Sequence, residues 1–117
     1  MEIPKNVQDQ ILQYQQLEQQ LEAMYLQRSQ LATQIAEVKG ATEALEKAED
    51  DVVVFEAAGN ILVRRPGKDT VLKDLKERLE LLEIRLKSLE KQEEGLRERY
   101  SSLQRDITNA LQNMGSG

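Results

Sequence analysis

A heptad repeat runs through both halves of this 117-residue chain and leaves little freedom in how either half folds. Tyr14, Leu17, Leu21, Met24, Arg28, Leu31, Ile35, Val38, Thr42 and Leu45 follow one another at alternating spacings of three and four. Eight of these ten are apolar, and the frame extends upstream to Val7. A period of 3.5 sustained in this way marks a helix that buries a narrow seam against another helix, rather than one lying on a broad globular core. The second half repeats the pattern through Leu72, Leu75, Leu79, Leu82, Leu86, Leu89, Glu93, Leu96, Tyr100, Leu103, Ile107, Ala110 and Met114.

Composition excludes most other readings. One Phe, three Tyr and no Trp are too few rings for a compact core. With no Cys and no His, the chain lacks thiolate zinc sites, a Cys nucleophile, the commonest general base and the commonest transition-metal ligand. Catalysis, a cofactor and a bound metal are therefore not expected. The net charge is −5 and no segment carries a large basic excess, which disfavours nucleic acid as a partner. No apolar run approaches the ~20 residues of a membrane span. The opening Met1-Glu2-Ile3-Pro4-Lys5 lacks the apolar stretch of a signal peptide, so a cytoplasmic location is expected.

Two arms of similar length around a short insert predict a mainly α fold: a long antiparallel coiled-coil helical hairpin. The segments are an N-terminal coiled-coil helix over 1–49, an insert over 50–68 and a C-terminal coiled-coil helix over 69–117. A long parallel dimer is the competing arrangement. Local pairing costs less loop entropy, and the turn is built from breakers. Within the insert, Val52-Val53-Val54-Phe55 and Ile61-Leu62-Val63 read as the strands of one β-hairpin turning at Gly59-Asn60. Both strands are apolar at consecutive positions, so both faces expect burial. Two strands alone are marginal in water, and this chain has no others to offer. The hairpin is thus expected to be completed by other subunits. Asn6 is the expected N-cap of the first helix, and Asp69 or Thr70 that of the second, after the Pro66-Gly67 break. Pro66-Gly67-Lys68-Asp69-Thr70 is not a phosphate-binding loop. It lacks the Gly five positions before Gly67, and Asp69 stands where the hydroxyl residue should be.

Arg28, Thr42 and Glu93 interrupt the seams and are expected to set register. Folding about Gly59 places Arg28 near Glu93, suggesting a cross-helix ion pair. At the open end, Ile3, Val7 and Ile11 converge with Ile107, Leu111 and Met114. The frame explains Val7, Ile107 and Met114 and leaves Ile3, Ile11 and Leu111 without an obvious partner. Ordinary closure of a fraying coiled-coil end is one reading; an apolar patch for loosely specified partners is the other.

The order arm, hairpin, arm, with Val52-Val53-Val54-Phe55-Glu56-Ala57-Ala58-Gly59-Asn60-Ile61-Leu62-Val63-Arg64 at its centre, resembles prefoldin. The stretches from Leu75 to Lys87 and from Leu89 to Glu94 are similar to the archaeal beta type. The single hairpin agrees, since alpha-type subunits carry two. The resemblance implies a hexamer of two alpha and four beta subunits, with the hairpins joined in an intersubunit β-barrel. It also implies an ATP-independent holdase whose coiled-coil tips bind non-native polypeptides and pass them to a group II chaperonin. On that reading Ile3, Val7, Ile11, Ile107, Leu111 and Met114 contact clients. Val52, Val54, Phe55, Ile61, Leu62 and Val63 hold the oligomer together. The alternative is a structural coiled-coil adaptor that binds one specific folded partner.

Overall fold

The computed structural model describes residues 2–116, the side chain of Ser116 excepted. Helix α1 spans Lys5–Lys47, strand β1 Phe55–Ala58, strand β2 Ile61–Arg64 and helix α2 Lys68–Ser116. By internal packing the chain divides into two compact units. One joins the chain up to Ser29 with the chain from Lys87 onward; the other is Gln30–Leu86.

In the Gln30–Leu86 unit, Ile35, Val38 and Leu82 form the buried centre, with Leu31, Leu75, Leu79 and Leu86 packed on it. All are seam positions of the heptad frame. The frame's polar member here, Thr42, satisfies its hydroxyl locally by donating to the Val38 carbonyl at 2.8 Å, so no partner across the seam is required. In the other unit Val7, Leu17 and Leu89 are buried. Tyr14 and Tyr100 stack there with ring centroids 4.4 Å apart. Earlier residues of α1 meet later residues of α2, the antiparallel sense expected from the sequence.

The expected ion pair is present. Arg28 Nε lies 3.2 Å from Glu93 Oε2, and Arg97 Nη2 lies 2.5 Å from Oε1. Glu93 is 4% exposed. Its Oε2 accepts no aligned hydrogen bond and is held at that distance by charge attraction. Arg28 also lies over the Tyr25 ring at 5.5 Å, which helps fix the guanidinium.

The element boundaries correct several local expectations. The first strand is Phe55–Ala58, and Val52, Val53 and Val54 precede it. The tight turn sets this register: Ala58 faces Ile61 and Phe55 faces Arg64, with only Gly59 and Asn60 between the strands. Gly59 alone of the two has a positive φ, 62°, as the first central position of a type II′ turn requires. After Arg65 donates its N–H to the Val54 carbonyl at 2.9 Å, Pro66 turns the chain away, and Val52 and Val53 have no strand residues left to pair with. Asn6 is not an N-cap, because α1 starts at Lys5 and the Pro4 carbonyl accepts from Val7 and Gln8 at 3.0 Å. Neither Asp69 nor Thr70 caps α2, which starts at Lys68; Asp69 lies in its first turn, where a carboxylate complements the helix dipole.

Arg28→Leu should lower the melting temperature followed by circular dichroism, with a cost of about 1–3 kcal/mol, because buried Glu93 loses its cross-helix cation. The double variant Arg28→Leu/Glu93→Leu should recover most of that loss, since an apolar pair needs no compensation. A single variant that melts at or above the parent would remove the pair from the account of the seam.

Candidate functional site

Two surfaces carry the residues singled out from the sequence. The first is the hairpin of the Gln30–Leu86 unit. Phe55, Ile61 and Leu62 are 56%, 64% and 71% exposed, Val63 is exposed, and Val52 and Val54 are half-buried. Four apolar side chains thus stand in water on a two-stranded sheet with both outer edges unpaired among the described residues. Such a sheet is a template for further strands.

The hairpin is held on the helices by charged groups that sequence reasoning missed. Arg65 Nη1 donates to Glu56 Oε2 at 2.6 Å, and its Nη2 pairs with Asp74 of α2. Arg78 of α2 reaches the other Glu56 oxygen at 3.6 Å. The hydrogen bond and charge of Arg65 hold the Glu56 carboxyl below its ordinary range. This network borders a groove of about 440 Å³ whose apolar lining includes Ala44, Leu45, Val54, Phe55, Val71 and Leu75. No periodicity signals these contacts, because Arg65 lies in the irregular link between β2 and α2.

Lys68 has a structural use. Its Nζ donates to the Ala48 carbonyl at 2.7 Å and the Glu46 carbonyl at 3.3 Å, and lies 3.6 Å from Asp50. The first residue of α2 thereby satisfies carbonyls at the end of α1 that have no partner within that helix. This is the role of the lysine in the segment that superficially suggests a phosphate loop.

The second surface lies in the unit that contains both ends of the chain. Ile3 and Leu111 are exposed; Ile11, Ile107 and Met114 are half-buried; Val7, at 4% exposure, belongs to the packed seam. Ile11 and Ile107 line one groove of about 350 Å³ beside Tyr14. Below this end the Tyr14 and Tyr100 hydroxyls share a 2.5 Å hydrogen bond. That bond, reinforced by burial and the Glu18 carboxylate, pushes the Tyr100 phenol up to about 12. The heptad frame contains both tyrosines, but which residues face across a seam depends on register, and the frame alone does not state it.

The family model described as "Prefoldin subunit" matches residues 8–114. The prefoldin subunit beta of Archaeoglobus fulgidus is 44% identical over 110 residues, covering 94% of each chain. That of Methanococcoides burtonii is 41% identical over 114 residues, covering 97% of each. The chain belongs to the prefoldin beta-subunit family. The crystal structure of the prefoldin beta subunit from Thermococcus strain KS-1 superposes with a TM-score of 0.84 at 35% identity, covering 94% of this chain and 96% of that one. The chain is therefore a subunit of a chaperone family, built as two helices with one hairpin between them. No helix among the described residues is long and apolar enough to cross a membrane, and no cluster among them has the make-up of a metal site.

Because the folded pKa of Tyr100 lies above the ordinary phenol value, its contribution to stability is complete below about pH 10 and is lost as pH rises through about 12. In a Tyr25→Phe background, ultraviolet titration of the folded chain should resolve one late tyrosine, and Tyr14→Phe should bring it earlier. Ordinary titration of Tyr100 in the folded chain would contradict the shared hydrogen bond.

Proposed function

We propose that this chain is the beta subunit of an ATP-independent holdase that binds non-native polypeptides at its coiled-coil ends and passes them to a group II chaperonin. The observation that carries the reading is the placing of exposed apolar side chains: on an unfinished hairpin sheet, and at Ile3 and Leu111 beside the chain ends. These surfaces suit two different tasks. A flat sheet with free edges suits permanent pairing with other hairpins. Isolated aliphatic side chains at helix ends suit weak contacts to many sequences.

In this reading the hairpins of two alpha-type and four beta-type subunits join in a β-barrel. Val52, Val54, Phe55, Ile61, Leu62 and Val63 are buried there. The contacts made by Ile3, Val7, Ile11, Ile107, Leu111 and Met114 then act together on one client. Several linked ends raise the effective concentration, so each contact stays reversible while the sum is retentive. Val7 joins in only where the end of the seam opens, since it is packed in the closed chain. No step requires nucleotide chemistry.

Light scattering from a chemically unfolded protein diluted into buffer without ATP tests the reading, with and without this chain assembled with an alpha-type subunit. The assembled complex should suppress scattering. Ile3→Ser/Leu111→Ser, two changes at exposed positions, should weaken suppression while the oligomer stays intact. An adaptor for one folded partner would suppress nothing.

Assembly is tested separately. Val54→Lys/Ile61→Lys places two charges on the hairpin and should give monomers or small species by light scattering. Persisting large oligomers would detach the hairpin from assembly.

A further inference from the structure

Asp74, Arg65, Glu56 and Arg78 form a run of alternating charge between the hairpin and α2. Arg65 Nη1 donates to Glu56 Oε2 at 2.6 Å while its Nη2 pairs with Asp74, and Arg78 Nη2 approaches Glu56 Oε1 at 3.6 Å. Asp74 and Arg78, four apart, share one side of α2. Helix α1 supplies none of the four. Single exposed ion pairs contribute little, but a planar guanidinium divided between two carboxylates holds them at a set spacing. Arg65 is also the least exposed member, and its main-chain N–H is fixed on the Val54 carbonyl at 2.9 Å.

Beside this network lies the groove of about 440 Å³, lined by Ala44 and Leu45 of α1, Val71 and Leu75 of α2 and Phe55 of β1. Phe55 lines it and is nevertheless 56% exposed. The hydrophobic effect alone would not leave the ring there, because a hairpin tilted inward would take the ring and the groove walls out of water together. The network resists that tilt, since it fixes the distance from β1 to α2.

From this we infer that the Arg65 network is a strut that holds the hairpin off the helices, which makes Arg65 a positioning residue for assembly. The inference rests on the proposed role of the hairpin in joining subunits. Without the strut, the chain's own groove competes with other subunits for Phe55. The hairpin edges then also stand at a different angle to the helices. A lysine at position 65 would not serve, because its ammonium is a point charge on a flexible stem and does not set the spacing of two carboxylates.

The test uses the full chain with two readouts. Arg65→Gln should need about tenfold more chain than the parent to assemble with an alpha-type subunit, with helix content unchanged. Lys76→Gln, which removes an exposed cation of α2 outside the network, should assemble like the parent. The chain has no Trp, so Phe55→Trp supplies a single indole. In the unassembled chain that indole should emit at shorter wavelength once Arg65→Gln is added, as it enters the groove. Ala44→Gln fills the groove from α1 and should restore assembly to the Arg65→Gln chain. Unchanged assembly of Arg65→Gln, an equal loss in Lys76→Gln, or no recovery with Ala44→Gln overturns the strut. So does an indole that stays exposed, which would mean that the hairpin frays instead of tilting inward. A parent chain that does not assemble removes the assembly reading, and the indole emission still decides whether the network holds the hairpin off the groove.

Discussion

Everything in this molecule depends on the burial of a seam one side chain wide. A helix with an apolar stripe at period 3.5 cannot keep that stripe in water, and the complementary stripe of another helix covers it most economically. In each compact unit, segments of α1 and α2 supply the two stripes, and the non-aliphatic members are accommodated in different ways. Thr42 bonds back to its own helix, Tyr14 and Tyr100 share a hydroxyl bond, and Arg28 neutralises Glu93. The last solution constrains most, because an uncompensated carboxylate in the seam would cost more than any single leucine contributes.

A seam this narrow leaves the rest of the surface available for selection. The hairpin shows what happens where burial within the chain runs out. Its attachment is electrostatic, through Arg65, Glu56, Asp74 and Arg78, while its apolar side chains point to water. The division is physically sensible: the charged clamp fixes the hairpin on the helices without burying its hydrophobic side chains. Lys68 makes the same economy at the other side of the insert, completing the end of α1 with the first residue of α2.

The helices contrast in their solvent-facing sides. From Lys87 to Arg105 the exposed side of α2 is mostly charged, whereas α1 between Gln10 and Gln27 exposes mostly glutamine together with Leu12, Tyr25 and Leu26; earlier in α2, Leu81 and Ile84 are exposed as well. Both satisfy the same seam, so packing between them does not account for the difference.

Most of the architecture was legible in the residues themselves, because a 3.5 period and a β-branched insert each admit few folds. The heptad frame identified every buried aliphatic residue, and the equal arms placed Arg28 close enough to Glu93 to foresee their pairing. The strand boundary was not legible: Val52-Val53-Val54 has strong strand propensity, but the turn at Gly59-Asn60 and the exit at Pro66 decide which residues have a partner. Nor were the helix starts: α1 begins at Lys5, where the Pro4 carbonyl accepts from both Val7 and Gln8, and α2 begins at Lys68, before either expected cap. The Lys68 clasp and the Tyr14–Tyr100 stack join residues 20 and 86 apart, and the Arg65 clamp joins residues nine apart across non-helical chain; all three came only with the tertiary structure. The sequence by itself thus determined which side chains must leave water. Only the folded chain decided which polar groups meet, because that depends on register and distance, and a periodic pattern carries neither.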